Sequence, residues 1–425
     1  MFNKLLRSPS VEALRRSTVA GNTGVMTVGI GVQLALQAGY FILVTRTMGV
    51  SAYGAFISVA ALAALLGAFS GWGGDQILIR TVATTPSEFP RALGNALIFL
   101  TISAPTLIVI GLLLIPHLID AAVPWGVVAL IVVGDLLFTR LNTFAVNCFQ
   151  AYERGRDMAR LGILLNAVKA IAAVIWAMTT AAPDPLSWAW YYCGASVIAG
   201  IISIAEVFIR LGAPVWQARW SDWKDGGFFA LQMGSFVGFR DIDKPIVVAL
   251  SSLPQAGLYA AAFRIADVAA VPVRALMYST YVRFFRAGAH GTRGSLAFAK
   301  RLVPVGLLLG GLAGIGVALS STFASYILGA SQYAGIGLPL LILTPLPILY
   351  AMYYIGADAL ISGGHVGYRT AIQLGLPVID VGLCLLLVPR YGALGAALAT
   401  TLTHMVLVGI VWTSATLIAR DEPPS

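Results

Sequence analysis

The chain of 425 residues is 58% hydrophobic and only 11% charged, with 45 glycines, whereas soluble domains run near a quarter charged and under half apolar. Its mean hydropathy of +0.86 means that apolar residues dominate almost everywhere, so lipid is the solvent for most of the chain. These values exclude a secreted enzyme, a disordered chain and a nucleic-acid binder drawing on the net charge of +9, since each needs a water-facing surface.

The amino terminus, MFNKLLRSPSVEALRRST, is polar and basic, and the apolar run after it continues for a full bilayer width. It reads as a retained first span, not a cleaved signal. A membrane helix needs about 20 apolar residues, and the sequence offers twelve such stretches, near 22–45, 54–77, 92–115, 122–147, 161–181, 187–209, 227–250, 257–282, 303–328, 336–361, 366–388 and 392–418. Lipid cannot satisfy exposed backbone groups, and no segment alternates long enough for a barrel strand, so the spans are expected to be helices.

Twelve spans place both termini on one face. That face collects nineteen of the 27 Lys and Arg residues, the other only Arg46 and Arg390, which orients the termini to the cytoplasm. Six basic residues fall inside spans: Arg140, Lys169, Arg240, Lys244, Arg264 and Arg274. The expected fold class is therefore an all-α polytopic membrane protein. Its expected organisation is a cytoplasmic segment over 1–21, a six-helix bundle over 22–209, a linker over 210–226, a second six-helix bundle over 227–418 and a tail over 419–425. The linker, with its tryptophans and basic residues, reads as a helix lying in the membrane interface. An offset of 203 positions lays Gly54 on Gly257, Phe56 on Tyr259 and Arg80 on Arg283, an internal repeat of parallel orientation.

In chain order, Asp75 and Arg80 read as a pair at a glycine-loosened, solvated end of span two. Asp135 and Arg140 follow in span four, Lys169 in span five and Glu206 near the inner end of span six. Arg140 and Lys169 either line a cavity or snorkel to the interface. Span seven carries FRDIDKPIVVAL, where spacing pairs Arg240 with Asp243 and Asp241 with Lys244. Four charges on one turn cannot all be served within one helix, so a water-filled cavity is the alternative. Span eight carries Arg264, Asp267 and Arg274. Either Arg264 and Asp267 form a structural pair, or Arg264 and Lys244, at similar depth on adjacent helices, make an anion site. Asp358, Asp380 and His404 stand alone in spans ten to twelve. Pro105, Pro245, Pro272, Pro304, Pro345, Pro347 and Pro377 interrupt spans, as in proteins that alternate between open states. The three cysteines read as packed thiols, the four histidines form no ligand set, and no phosphate-binding GxxxxGK[ST] occurs, so neither metal, cofactor nor ATPase is expected.

The stretch QLALQAGYFILVTRTMGVSAYGAFISVAALAALLGAFSGWGGDQILIRTVA resembles the opening of Wzx-type lipid-linked oligosaccharide flippases of the MOP exporter superfamily. DKPIVVALSSLPQAGLYAAAFRIADV is similar to the family's spans seven and eight, and VPRYGALGAALATTLTH to its approach to span twelve. The resemblance implies two six-helix bundles of the MATE/MOP type around a cationic cavity, and movement of an undecaprenyl-diphosphate-linked glycan across the inner membrane by alternating access for O-antigen, exopolysaccharide or capsule synthesis. It places Arg264 and the Asp243–Lys244 pair at family positions. The absence of arginine within span one before Arg46 argues against a peptidoglycan precursor.

The expected path admits the diphosphate near Arg140 and Lys169 and passes it to Lys244 and Arg264, with Arg240 and Arg274 as further anion ligands. Asp241, Asp243, Asp267, Asp380 and His404 are the candidates for ion coupling. Expected partners are membrane lipid, the lipid-linked glycan, and a polysaccharide polymerase and glycosyltransferases; no nucleic acid and no catalytic role are expected. The alternatives are a cation-coupled multidrug exporter of the same superfamily, using Asp135 and Glu206, and a membrane-embedded glycan ligase or polymerase.

Overall fold

The computed structural model describes residues 9–119 and 123–422, and over these the chain is helical with no strand. The expectations for Lys4, Arg7, Asp120 and residues 423–425 lie outside the described residues. Ten of the described helices are long and apolar enough to cross a membrane, and an eleventh crossing is a helix pair bent by 43°. The remaining expected span, 227–250, is also a broken helix, and its four clustered charges make it the least apolar of the set.

Among the described residues there are seventeen α-helices: α1 (Pro9–Met48), α2 (Val50–Gly67), α3 (Gly74–Thr84), α4 (Phe89–Leu118), α5 (Trp125–Val133), α6 (Arg140–Ala151), α7 (Gly155–Thr179), α8 (Pro185–Leu211), α9 (Asp222–Asp241), α10 (Asp243–Leu250), α11 (Leu253–Ala269), α12 (Val271–Ala287), α13 (Thr292–Leu328), α14 (Gly337–Leu343), α15 (Leu346–Ser362), α16 (Val366–Tyr391) and α17 (Ala393–Asp421). The breaks follow local chemistry. Pro245, Pro272 and Pro347 sit in the first turns of α10, α12 and α15, where a missing N–H costs no intrahelical bond. Pro304 and Pro377 lie inside continuous helices instead. Span two ends earlier than its hydrophobicity suggests, because Gly71, Trp72 and Gly73 take positive φ between α2 and α3.

Contacts divide the chain into two compact units. The first comprises Met1–Leu43, Leu66–Leu114 and Pro124–Leu231, and the second Val44–Leu65, Ile115–Val123 and Gln232–Ser425. The division thus falls beyond the linker expected at 210–226, and the turn joining the first two spans groups with the second unit together with most of α2.

In the first unit α4, α6 and α8 enclose a core that includes Leu93, Leu100, Phe144, Phe149 and Val207. Lipid is as apolar as these side chains, so close packing rather than burial from water holds such helices together. The linker is not one interfacial helix. α8 runs to Leu211, residues 212–219 are non-helical, and α9 begins at Asp222. The extended part is pinned by Val215, whose N–H donates to Pro90 O at 2.7 Å. Trp72 stacks on Trp223 at 4.9 Å and donates its indole N–H to the Trp223 carbonyl, while Trp216 and Trp220 stay exposed.

In the second unit the repeat-related glycines meet. A Cβ on Gly54 would lie 2.0 Å from Leu253 O, and one on Gly257 2.0 Å from Val50 O. Each glycine therefore packs against the carbonyl four residues before the other, a reciprocal contact that only hydrogen side chains permit.

Candidate functional site

The charges of span seven become a site because α9 and α10 break at Ile242. That break turns Asp243 and Lys244 inward, with 2% and 4% of their surfaces exposed. The Lys244 ammonium lies 2.9 Å from Asp241 Oδ1 and 3.1 Å from Asp243 Oδ1. It also donates to the carbonyl of Arg240 at 3.0 Å and sits 4.3 Å from the centre of the Phe263 ring. A buried ammonium has to be paired or solvated by dipoles, and here all its donors are used. Asp243 in turn accepts from the Tyr259 hydroxyl, which lies 2.6 Å from Thr400 Oγ1. Asp380, within electrostatic range of Asp243 and Lys244, accepts from Thr403 at 3.1 Å. α10, α11, α16 and α17 thus share one buried polar knot.

A second cluster adjoins it through the Arg240 carbonyl. Arg240 donates to Asp267 Oδ2 at 3.2 Å. Arg274 donates to Asp267 Oδ1 at 2.7 Å and, with its other terminal nitrogen, to the Asp267 carbonyl at 2.7 Å. The Asp267 carbonyl, at the end of α11, also accepts from the Ala270 N–H at 3.3 Å, so the Arg274 bond fills its second acceptor position. The carboxylate is 8% exposed, the guanidinium side chains of Arg240 and Arg274 43% and 29%. Arg264 is within electrostatic range of Asp267 but forms no ion pair among the described residues. Tyr350 and Tyr354 of α15 lie within electrostatic range of Asp267, Arg240 and Arg274. His404 Nδ1 is 2.7 Å from the Thr400 carbonyl, so it carries the proton there, and its ring meets Tyr350 edge-on at 5.0 Å.

The first unit neutralises its buried cations internally. Arg140 pairs with Asp75 at 2.9 Å and donates to Ser70 O at 2.7 Å, and Asn147 donates to the other Asp75 oxygen at 2.6 Å. Asp75 is 4% exposed. The expected solvated Asp75–Arg80 pair is therefore absent, and Arg80 bonds Asp225 instead at 3.0 Å. Lys169 lies 4.0 Å from Asp135 and 3.9 Å over the Tyr192 ring, whose hydroxyl donates to Asp135 at 2.8 Å. Both cations are held in the bundle rather than snorkelled. Asp135 lies in a π-helical turn, Gly134–Thr139, the kind of local widening that recurs at functional positions. Glu206 belongs elsewhere, in a network with Arg160 and Arg210, about 21 Å along α8 from Tyr192 at 1.5 Å per residue. Asp135 and Glu206 accordingly do not line one cavity. The same unit holds a cavity of about 300 Å³ with Gln33, Asn142, Thr143 and Asn166 among its lining residues.

Helical spacing identified the Asp241–Lys244 pair but not the rest. Arg240 takes Asp267 rather than Asp243, and Asp267 takes Arg240 and Arg274 rather than Arg264. Asp380, which looks isolated in the sequence, belongs to the knot around Lys244. Sequence reasoning passed over Tyr259, Thr400, Tyr350 and Tyr354, and the amides of the first unit. The run LYAMYYIG in an apolar span was the available signal for the tyrosines.

Residues 19–273 match the family model described as polysaccharide biosynthesis protein. No curated protein matches the sequence. Among solved structures, an inward-facing multidrug resistance MATE family transporter of the MOP superfamily is similar at a TM-score of 0.75 and 13% identity, covering 93% of this chain and 98% of that one. The lipid II flippase MurJ in an inward closed conformation is similar at a TM-score of 0.74 and 12% identity, over 92% of this chain and 87% of that one. A MOP superfamily transporter from Pyrococcus furiosus, whose binding pocket is described as having reverse polarity, is similar at a TM-score of 0.64 and 15% identity, over 93% and 94%. At these identities the likeness establishes a shared fold, that of the MOP superfamily.

Proposed function

Because the chain belongs to the family of polysaccharide biosynthesis proteins, we propose that it is a flippase moving an undecaprenyl-diphosphate-linked oligosaccharide from the cytoplasmic to the periplasmic leaflet of the inner membrane by alternating access. Both termini are cytoplasmic in this reading, and the glycan is destined for O-antigen, exopolysaccharide or capsule. Glycosyltransferases supply it and a polymerase consumes it. The observation that supports this most is the arginine cluster of the second unit. Arg240, Arg264 and Arg274 gather around one carboxylate at bilayer depth, where uncompensated charge is costly and therefore functional by default.

Arg264 is the first ligand of the diphosphate, since it alone of the three makes no ion pair among the described residues. Arg140 and Lys169 lie on the inward path, already balanced by Asp75 and Asp135. The uncharged amides around the first unit's cavity suit glycan hydroxyls, which both donate and accept. Asp243 and Asp380, beside Lys244, are the coupling carboxylates, and Asp241 and His404 border them. The broken helices α9–α10 and α11–α12 supply joints for the conformational cycle. A multidrug exporter fits less well: a drug cation needs an available carboxylate, and Asp135 is engaged by Lys169 and Tyr192.

The test is replacement of Arg264 by Ala in the producing strain. Surface glycan is expected to disappear while the protein remains in the membrane at normal abundance. Normal glycan display with that variant contradicts the assignment.

A further inference from the structure

The Asp267 carboxylate is the most buried member of its cluster, and both of its oxygens are taken by arginines that are themselves half open. Two guanidinium groups, Arg240 from α9 and Arg274 from α12, converge on a single carboxylate of α11, and a third, Arg264, stands within range. The charges sum to +3 from the arginines and −1 from Asp267, leaving +2. A diphosphate diester carries two negative charges, and its oxygens match the forked donors of guanidinium. Each arginine presents five N–H donors, of which Arg240 spends one on Asp267 and Arg274 two.

We propose that Asp267 is the resident anion of the transport site: in the empty protein it holds Arg240 and Arg274, and the diphosphate of a polyprenyl-linked substrate takes them over when it binds. This rests on the flippase reading and adds to it a specificity-determining residue with a defined task. The exchange keeps Arg240 and Arg274 paired in both states, and the bound diphosphate balances the +2 that the empty site carries. It also provides for release, because the returning carboxylate competes the diphosphate off. The 43° bend between α11 and α12 lies between Asp267 and Arg274, so the contacts exchanged span a joint of the fold.

A residue that only props up the site would lower binding and transport together when removed. A resident competitor has opposite effects on the two. The full-length protein in lipid nanodiscs is titrated with undecaprenyl diphosphate, with undecaprenol as the neutral control and inorganic pyrophosphate to separate headgroup from lipid. Asp267→Asn is expected to bind undecaprenyl diphosphate about tenfold more tightly than wild type, equivalent to one 1.4 kcal/mol step, yet to display far less glycan in cells. Arg274→Gln is expected to bind about tenfold more weakly. Asp267→Glu, which keeps the charge, should restore glycan display.

Unchanged or weaker binding by a folded Asp267→Asn overturns the proposal and leaves the flippase reading standing. If wild type binds undecaprenyl diphosphate no better than undecaprenol, the reading itself fails and takes the proposal with it. Should Asp267→Asn not accumulate, Arg274→Gln decides, and wild-type affinity in that folded variant overturns the proposal.

Discussion

Charged residues in this protein are governed by burial more than by sequence neighbourhood. Asp75 and Arg140 are 65 positions apart, yet Arg140, Asn147 and the Ser70 carbonyl form one buried network with that carboxylate. A sequence reading sees only near neighbours along the chain, so it grouped Asp75 with Arg80, one or two turns on, and missed the bond that matters. Removing one member of a buried pair strands the other, at a cost of about 3–5 kcal/mol. Arg140→Ala is therefore expected to lower the unfolding midpoint of the purified protein sharply, whereas Arg80→Ala, whose ion pair is half exposed, should change it little. Outside the membrane, Glu422 closes the second unit by accepting from the backbone N–H groups of Thr292 and Arg293. Desolvation acts to raise its pKa, but the bonds from Thr292 and Arg293 outweigh it and hold the carboxyl below its ordinary value. Stability from such a group is complete above its unfolded pKa and is lost as pH falls through the lower folded one. Glu422→Gln should consequently be less stable than wild type near neutral pH, and the difference in unfolding midpoint should vanish in acid; a difference that persists below pH 3 contradicts this account.

At the scale of elements, most of the twelve expected spans were legible, because apolar runs of bilayer width form helices long enough to cross a membrane, ten among the described residues and up to eleven with the bent pair. The prolines likewise announced the joints at α10, α12 and α15. Other features left no such mark. The π turn that carries Asp135 lies inside a continuous apolar run, and the glycine-rich turn after α2 depends on backbone angles that hydrophobicity does not encode. The linker misled because tryptophan and arginine suit an interfacial helix equally well as an extended strap followed by a helix whose Trp223 packs on Trp72. The 203-residue offset proved informative in a way its three matches did not suggest, since Gly54 and Gly257 touch each other's helices. Their contact is backbone on backbone, so an added side chain cannot be absorbed by a rotamer change. Gly257→Val is expected to cost about 1–3 kcal/mol, in the range of overpacking substitutions, and Gly54→Val a similar amount. Thermal unfolding of each variant checks this, and the double variant should cost less than the sum, because both push the same two helices apart.

For the molecule as a whole, composition established the solvent, and the distribution of Lys and Arg established an expected topology. Neither property identified a cargo. That step rests on the family match, on a fold shared with MOP superfamily transporters, and on one arginine cluster whose third member has no ion-pair partner among the described residues. The charges at bilayer depth are organised in three ways: paired within the first unit, knotted around Lys244, and gathered on Asp267. Only the last leaves positive charge in excess, which is why an anionic headgroup is the ligand that the reading requires. The most direct measurement is translocation itself, with purified protein reconstituted in liposomes carrying an undecaprenyl-diphosphate-linked oligosaccharide on one leaflet and a glycosidase added to the other. The account predicts that wild type exposes the glycan to cleavage and that Arg264→Ala does not; equal cleavage with wild type, the variant and protein-free liposomes would contradict it.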